Sequence, residues 1–141
     1  CIAPPGPEES RAYARQAVER AVAIVEADVL SEYRPGGPGE QVRVRRILWG
    51  EAPPQFRISR RGFASSASCA LLLSRGERKV LILYAPEQAR PLDGGKPLPL
   101  GDGFAIQSLC SDFLVSDRFY LAVTLEEARR RTDSVADGQR G

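Results

Sequence analysis

Histidine is absent from all 141 residues, which removes the commonest general base and the commonest metal ligand together. Serine and cysteine hydrolases that depend on histidine are thereby excluded. Ser65, Ser66 and Ser68 have no base to activate them, and nothing in the sequence nominates a lysine for that task. Cysteine is scarce: Cys1, Cys69 and Cys110 are too few and too scattered for a four-ligand zinc site, and one disulfide with a spare thiol is the simpler account. No Gly-rich phosphate loop occurs, and no cofactor or metal is expected. No spacing makes Asp93, Asp102 and Asp112 a tuned carboxylate pair, so they read as turn and loop residues. Long hydrophobic runs are missing too, none approaching the ~20 residues that span a bilayer. The net charge of +2 is too mild to imply nucleic acid without a local basic cluster.

Methionine is also absent, and the chain begins at Cys1. Processing during export is the expectation, either by ordinary signal peptidase or by the bacterial lipoprotein route, which cuts before a cysteine that then carries the lipid. Cys1 is accordingly a candidate lipid-attachment residue.

What is present is one domain's worth of chain, 43% hydrophobic and 27% charged. After a stiff Pro4, Pro5, Gly6, Pro7 lead-in, "EESRAYARQAVERAV" predicts a helix, with Tyr13, Ala17, Ala21 and Ile24 near helical spacing. A β-branched stretch over 22–33 predicts a strand with Val22, Ile24 and Val29 inward. "RPGGPGE" is the clearest turn. Beyond it Val42 and Val44 alternate against Arg43 and Arg45, and Phe56 and Ile58 repeat the pattern, giving two hairpin-linked strands. "RKVLILYAPE" reads as the most buried strand, and "FAIQSLCSDFLV" as a short one ending at Cys110, with a sixth strand an alternative over 113–123. Ser116 or Asp117 then caps a helix "RFYLAVTLEEARRR", whose charged end reads as solvated. Trp49 reads as a barrel-closing core residue rather than a ligand platform. The expected fold is mainly β: a five-stranded OB-type Greek-key barrel with a helix at each end, one domain over 1–131 and a flexible polar tail over 132–141.

An ordered set of pieces carries a family resemblance: Cys1 followed by Pro4 and Pro5, a helix running into "AVAIVEADV", a strand closing as "ILWGEAP", then "SASC" before "KVLILYA", and "SLCS". Together they cover residues 1 to about 111. In this order the chain resembles the netrin-like domain of tissue inhibitors of metalloproteinases and the small exported bacterial proteins that share it. The resemblance implies an OB-type barrel. It departs at position 3, where the family's second cysteine is replaced by Ala3, so one of the two N-terminal bridges is impossible. Three pairings stay open by this analogy: Cys69 with Cys110, leaving Cys1 for lipid; Cys1 with Cys69; or Cys1 with Cys110.

Three functions follow as expectations. The first is a non-catalytic exported binding module of the bacterial envelope, not an enzyme, whose partner is a protein and whose only membrane contact is a lipid on Cys1. The second, implied by the resemblance, is metalloproteinase inhibition, with the Cys1 amine chelating zinc and a contact ridge of Cys1, Ile2, Ala3, Pro4, Ser68 and Cys69. The third is a polyanion or single-strand face made by Arg43, Arg45, Arg57, Arg60 and Arg61 on strands two and three. Missing outward aromatics and export disfavour nucleic acid, and point such a patch toward anionic lipid or envelope polysaccharide.

Overall fold

The computed structural model describes residues 6–33, 39–59, 71–84, 103–107 and 111–140, with backbone alone for 7, 8 and 133–140. The chain is mainly β at its centre and helical at both ends: α1 Pro7–Val18, β1 Ala21–Val29, β2 Gln41–Gly50, β3 Gln55–Arg57, β4 Arg78–Tyr84, β5 Ala105–Ile106, α2 Phe113–Ser116 and α3 Arg118–Arg140. The strands form one antiparallel sheet in the order β3-β2-β1-β4-β5. It curls into a half-barrel. Its two edges are tied by a parallel bridge between Ile58 and Phe104, where Ser59 N–H donates to the Phe104 carbonyl at 2.8 Å and Phe104 N–H to the Arg57 carbonyl at 3.1 Å.

The curl originates in β2. Its sequence alternates in-out through Val42, Arg43 and Val44, and then carries two doublets, Arg45–Arg46 and Leu48–Trp49. Each doublet coincides with a register shift against β1, one between Glu26 and Ala27 and one between Ile24 and Val25. A bulge inserts one unpaired residue, bends its strand and increases the local twist. Two successive side chains therefore share the outer face at each bulge, which strict alternation forbids.

Period-two geometry sorts β1 and β4 into two cores. Ala23, Val25, Ala27 and Val29, with Leu81 and Leu83, point into the half-barrel, where Val42, Phe56, Ile58, Leu71, Leu73 and Ile106 complete the core. Ile24 and Ile82, on the other face, pack beneath Val18 of α1, Val115 of α2 and Ala128 of α3, with Leu48 and Trp49 alongside. Both faces of the central strands are thus covered, which is why "VLIL" in β4 reads as a continuous apolar run.

The helices depart from several sequence expectations. In α1 the inward residues are Ser10, Ala14 and Val18, while Tyr13 is 47% exposed; the face is set by the small residues that let the helix lie close to α3. Val22 is exposed rather than inward, because β1 enters the sheet with its odd-numbered residues toward the barrel core. The stretch 113–123 is helical, with no sixth strand. Asp117 caps α3 by accepting from Phe119 N–H at 2.8 Å. "EEARRR" is not a solvated end: Glu127 and Ala128 are buried, and Glu127 faces Arg11 at 3.6 Å and Arg15 at 3.5 Å. Arg131 donates to the Ala21 carbonyl at 3.2 Å, and the α3 backbone continues helical to Arg140.

Candidate functional site

The helices cover only part of the sheet's outer face. Beyond Ile24, the same face of β1 continues as Glu26 and Asp28, flanked on β2 by the exposed Arg43, Arg45 and Arg46 and on β4 by the exposed Arg78. Cross-strand register places their neighbours: Arg43 lies opposite Asp28 on β2, Arg78 opposite Asp28 on β4, and Arg46 opposite Glu26. One strand further, Gln55 pairs with Arg43, and Arg57 with Gln41. Directly opposed residues of an antiparallel pair share a face, so Gln55, Arg43, Asp28 and Arg78 form one row across four strands. The bulge adds Arg45 to the same surface.

Charge within this row is unevenly paired. Arg45 Nη1 donates to Asp28 Oδ2 at 3.0 Å, and Arg78 Nε to Asp28 Oδ1 at 3.3 Å. The hydrogen bond from Arg45, reinforced by that from Arg78, holds the Asp28 carboxyl below the usual carboxylate range despite its partial desolvation. Arg46 stands 3.9 Å from Glu26. Arg43 and Arg57 are exposed and enter no ion pair among the described residues. Among the described residues of this face, five guanidiniums stand against two carboxylates, a cationic balance.

Of the residues singled out from sequence, Arg43, Arg45 and Arg57 come together here. Arg60 and Arg61 lie outside the described residues, as do Cys1, Ile2, Ala3, Pro4, Ser68, Cys69 and Cys110, and with them the contact ridge and every disulfide alternative. Sequence reasoning missed Arg46, Arg78, Glu26 and Asp28. The Arg45–Arg46 doublet that breaks alternation was a signal for the first. No local signal exists for Arg78, since its place beside Asp28 depends on strand order.

Other features are structural. Trp49 is partly buried against the helix layer, and its Nε1–H donates to Thr132 Oγ1 at 2.9 Å; its ring is therefore no open stacking platform. Asp112 is an anchor rather than a loop carboxylate: Lys79 Nζ reaches its Oδ2 at 2.8 Å and Gln107 Nε2 its Oδ1 at 3.1 Å. That pairing engages the ammonium of Lys79, the only lysine among the described residues. Of "RPGGPGE", Glu40 is buried and accepts from Leu73 N–H at 3.0 Å, fastening the segment at 71–73 to the barrel. A hollow of about 270 Å³ lies between α1, α2 and the end of β4, lined by Tyr13, Ala17, Tyr84, Phe113 and Leu114 and by no charged side chain among the described residues.

Among the described residues no group of three or more histidine, cysteine, aspartate or glutamate side chains could hold a metal ion, and no helix is long and apolar enough to cross a membrane. The chain matches no known family and no curated protein.

Proposed function

We propose that the chain is a non-catalytic, exported binding module of the cell envelope, built as an OB-type barrel, and that it acts through the arginine row on an anionic polymer. The strand circuit supports the barrel reading: an OB-type barrel calls for five strands whose edges meet, and here the sheet runs β3-β2-β1-β4-β5 with a parallel Ile58–Phe104 bridge between its edges. Among the described residues the half-barrel is filled by Val25, Leu81, Leu83 and their neighbours, which supports a surface rather than an interior site. The observation that carries the ligand class is the row itself, with Arg43 and Arg57 exposed and in no ion pair among the described residues.

A linear polyanion without bases suits this face better than a nucleic acid. Single strands are held by bases stacking on aromatic rings as well as by cations. Trp49 lies outside the row, partly buried against the helix layer, and the residues described on the face are arginine, glutamine and acidic ones. The affinity is therefore electrostatic.

The test is retention of the purified protein on immobilised dextran sulfate against uncharged dextran, over a series of salt concentrations. Wild type binds the sulfated matrix, and binding falls steeply with salt. The double variant Arg43→Ala/Arg57→Ala removes two exposed cations, so the slope of log affinity against log salt falls by about 2. Absent or salt-insensitive retention refutes the reading, as does turnover of generic ester, peptide or glycoside substrates.

A further inference from the structure

Asp28 sits where an acidic group of the ligand would sit. It lies on the central strand, with Arg43 opposite on one side and Arg78 on the other, and the β2 bulge delivers Arg45 to it. Its side chain is only 20% exposed, and each carboxylate oxygen is taken by a different arginine. The carboxyl stays ionised well below neutral pH, for the reason given above. A fixed anion therefore occupies the centre of a cationic face.

We infer that Asp28 is an internal stand-in for the ligand's acid group, and that it makes the face selective for sulfate or phosphate esters over carboxylates. The inference rests on the anionic-polymer reading. A carboxylate arriving at Arg45 and Arg78 exchanges for an identical group and gains no hydrogen bond. It also competes with a carboxylate held in place by its own strand, whose effective concentration no free ligand matches. A sulfate or phosphate ester offers more terminal oxygens in a tetrahedral array. It can take the unpaired fork of Arg43 together with the remaining N–H groups of Arg45 and Arg78, which two carboxylate oxygens cannot do at once. Every basic residue of the chain except Lys79 and Lys96 is arginine, the side chain whose planar fork matches such groups bidentately. Glu26, kept on the same face 3.9 Å from Arg46, adds a second repulsion against weakly bound polymers.

The experiment compares wild type with Asp28→Asn, a neutral side chain of the same shape. The probes are dextran sulfate, inorganic polyphosphate and polyglutamate at matched charge and salt, with vesicles of phosphatidylglycerol in phosphatidylcholine as a further arm. Wild type is expected to bind the sulfate and phosphate polymers about tenfold more tightly than polyglutamate, and D28N to bind polyglutamate several-fold more tightly than wild type does, narrowing the ratio to about threefold. Equal wild-type affinity for carboxylate and sulfate polymers overturns the inference and leaves the anionic-polymer reading standing. So does weaker binding of every polymer by D28N that melts at the wild-type temperature, since Asp28 then orients the arginines rather than competing for them. Wild type that binds no polymer overturns both, and binding to the vesicles alone transfers the site to a lipid surface and overturns both as well. Should D28N not fold, the wild-type ratio decides by itself.

Discussion

Tyr84 ends β4 beneath α1, where its hydroxyl donates to the Ala17 carbonyl at 2.6 Å. Burial pushes the phenol from 10.0 up to about 12. The folded state therefore holds its proton more tightly than the unfolded chain does. The resulting stability is complete below the unfolded value near 10 and is lost as pH rises toward 12, a change of about 2–3 kcal/mol for a shift of this size. Tyr84→Phe removes this dependence and costs about 1 kcal/mol at neutral pH through the lost hydrogen bond. Urea midpoints of both proteins from pH 8 to 11.5 check it: wild type falls more steeply above pH 10, and parallel curves refute the assignment. At this scale the sequence was legible wherever a side chain's surroundings belonged to its own strand. Phe56, Ile58 and Val42 are inward as alternation predicts, and Arg43 is outward. Tyr13 and Glu127 were illegible, because a large ring is left exposed when small neighbours form the contact, and one carboxylate of a charged run becomes buried when another helix supplies Arg11 and Arg15.

Elements end where their geometry is interrupted, and two such interruptions flank β5, one of which joins the sheet edges. β5 pairs with β4 only through Ala105 and Ile106. The ladder then continues through a side chain: Gln107 Oε1 accepts from Ile82 N–H at 2.9 Å, and its Nε2 donates to the Val80 carbonyl at 3.1 Å. An amide side chain thereby does the work of one more peptide group, so β5 stops short of the length its sequence suggests. On the other side of β5, Gly103 adopts φ +87, and a Cβ there would fall on the Arg57 carbonyl, which is the acceptor of the closing bridge. Gly76 has nearly the same angle, φ +86, with open space around it. The pair separates backbone strain from steric closure. Gly76→Ala is expected to cost about 1 kcal/mol from its left-handed angle alone, and Gly103→Ala at least about 3, since it must also displace β3. Equal denaturation midpoints for the two variants would show that the bridge does not hold the edges together. The arginine row is an element-scale feature in the same sense: Arg43 and Arg57 follow from alternation and the Arg45–Arg46 doublet marks the bulge that turns Arg46 outward, whereas Arg78 needs strand order, which is written in no short stretch.

Across the whole molecule the two cores are not independent, because β1 and β4 contribute alternate residues to each. Peeling the helices from the sheet would expose Ile24, Ile82, Val80 and Trp49 together. Burial of Ile24 and Ile82 contributes about 1.5–3 kcal/mol each and the partly buried Val80 and Trp49 add less, so the loss is a large share of the margin of about 5–15 kcal/mol typical of a domain. The sheet without its helix layer is then expected to be unstable, and the chain to unfold in one step. Trp49 is the only tryptophan of the chain and reports the helix layer specifically, through its bond to Thr132 and its packing beneath α3. Far-UV circular dichroism reports strands and helices together. Urea denaturation followed by both signals is expected to give one midpoint. A red shift of Trp49 emission at lower urea than the loss of circular dichroism would mean instead that the helices detach as a separate unit, leaving the half-barrel and its arginine face intact. Repeating the titration with saturating dextran sulfate tests the coupling again: both signals should move to higher urea by the same amount, because a polymer that binds the folded state alone stabilises one cooperative unit, and a shift in only one signal would show that the two cores unfold separately.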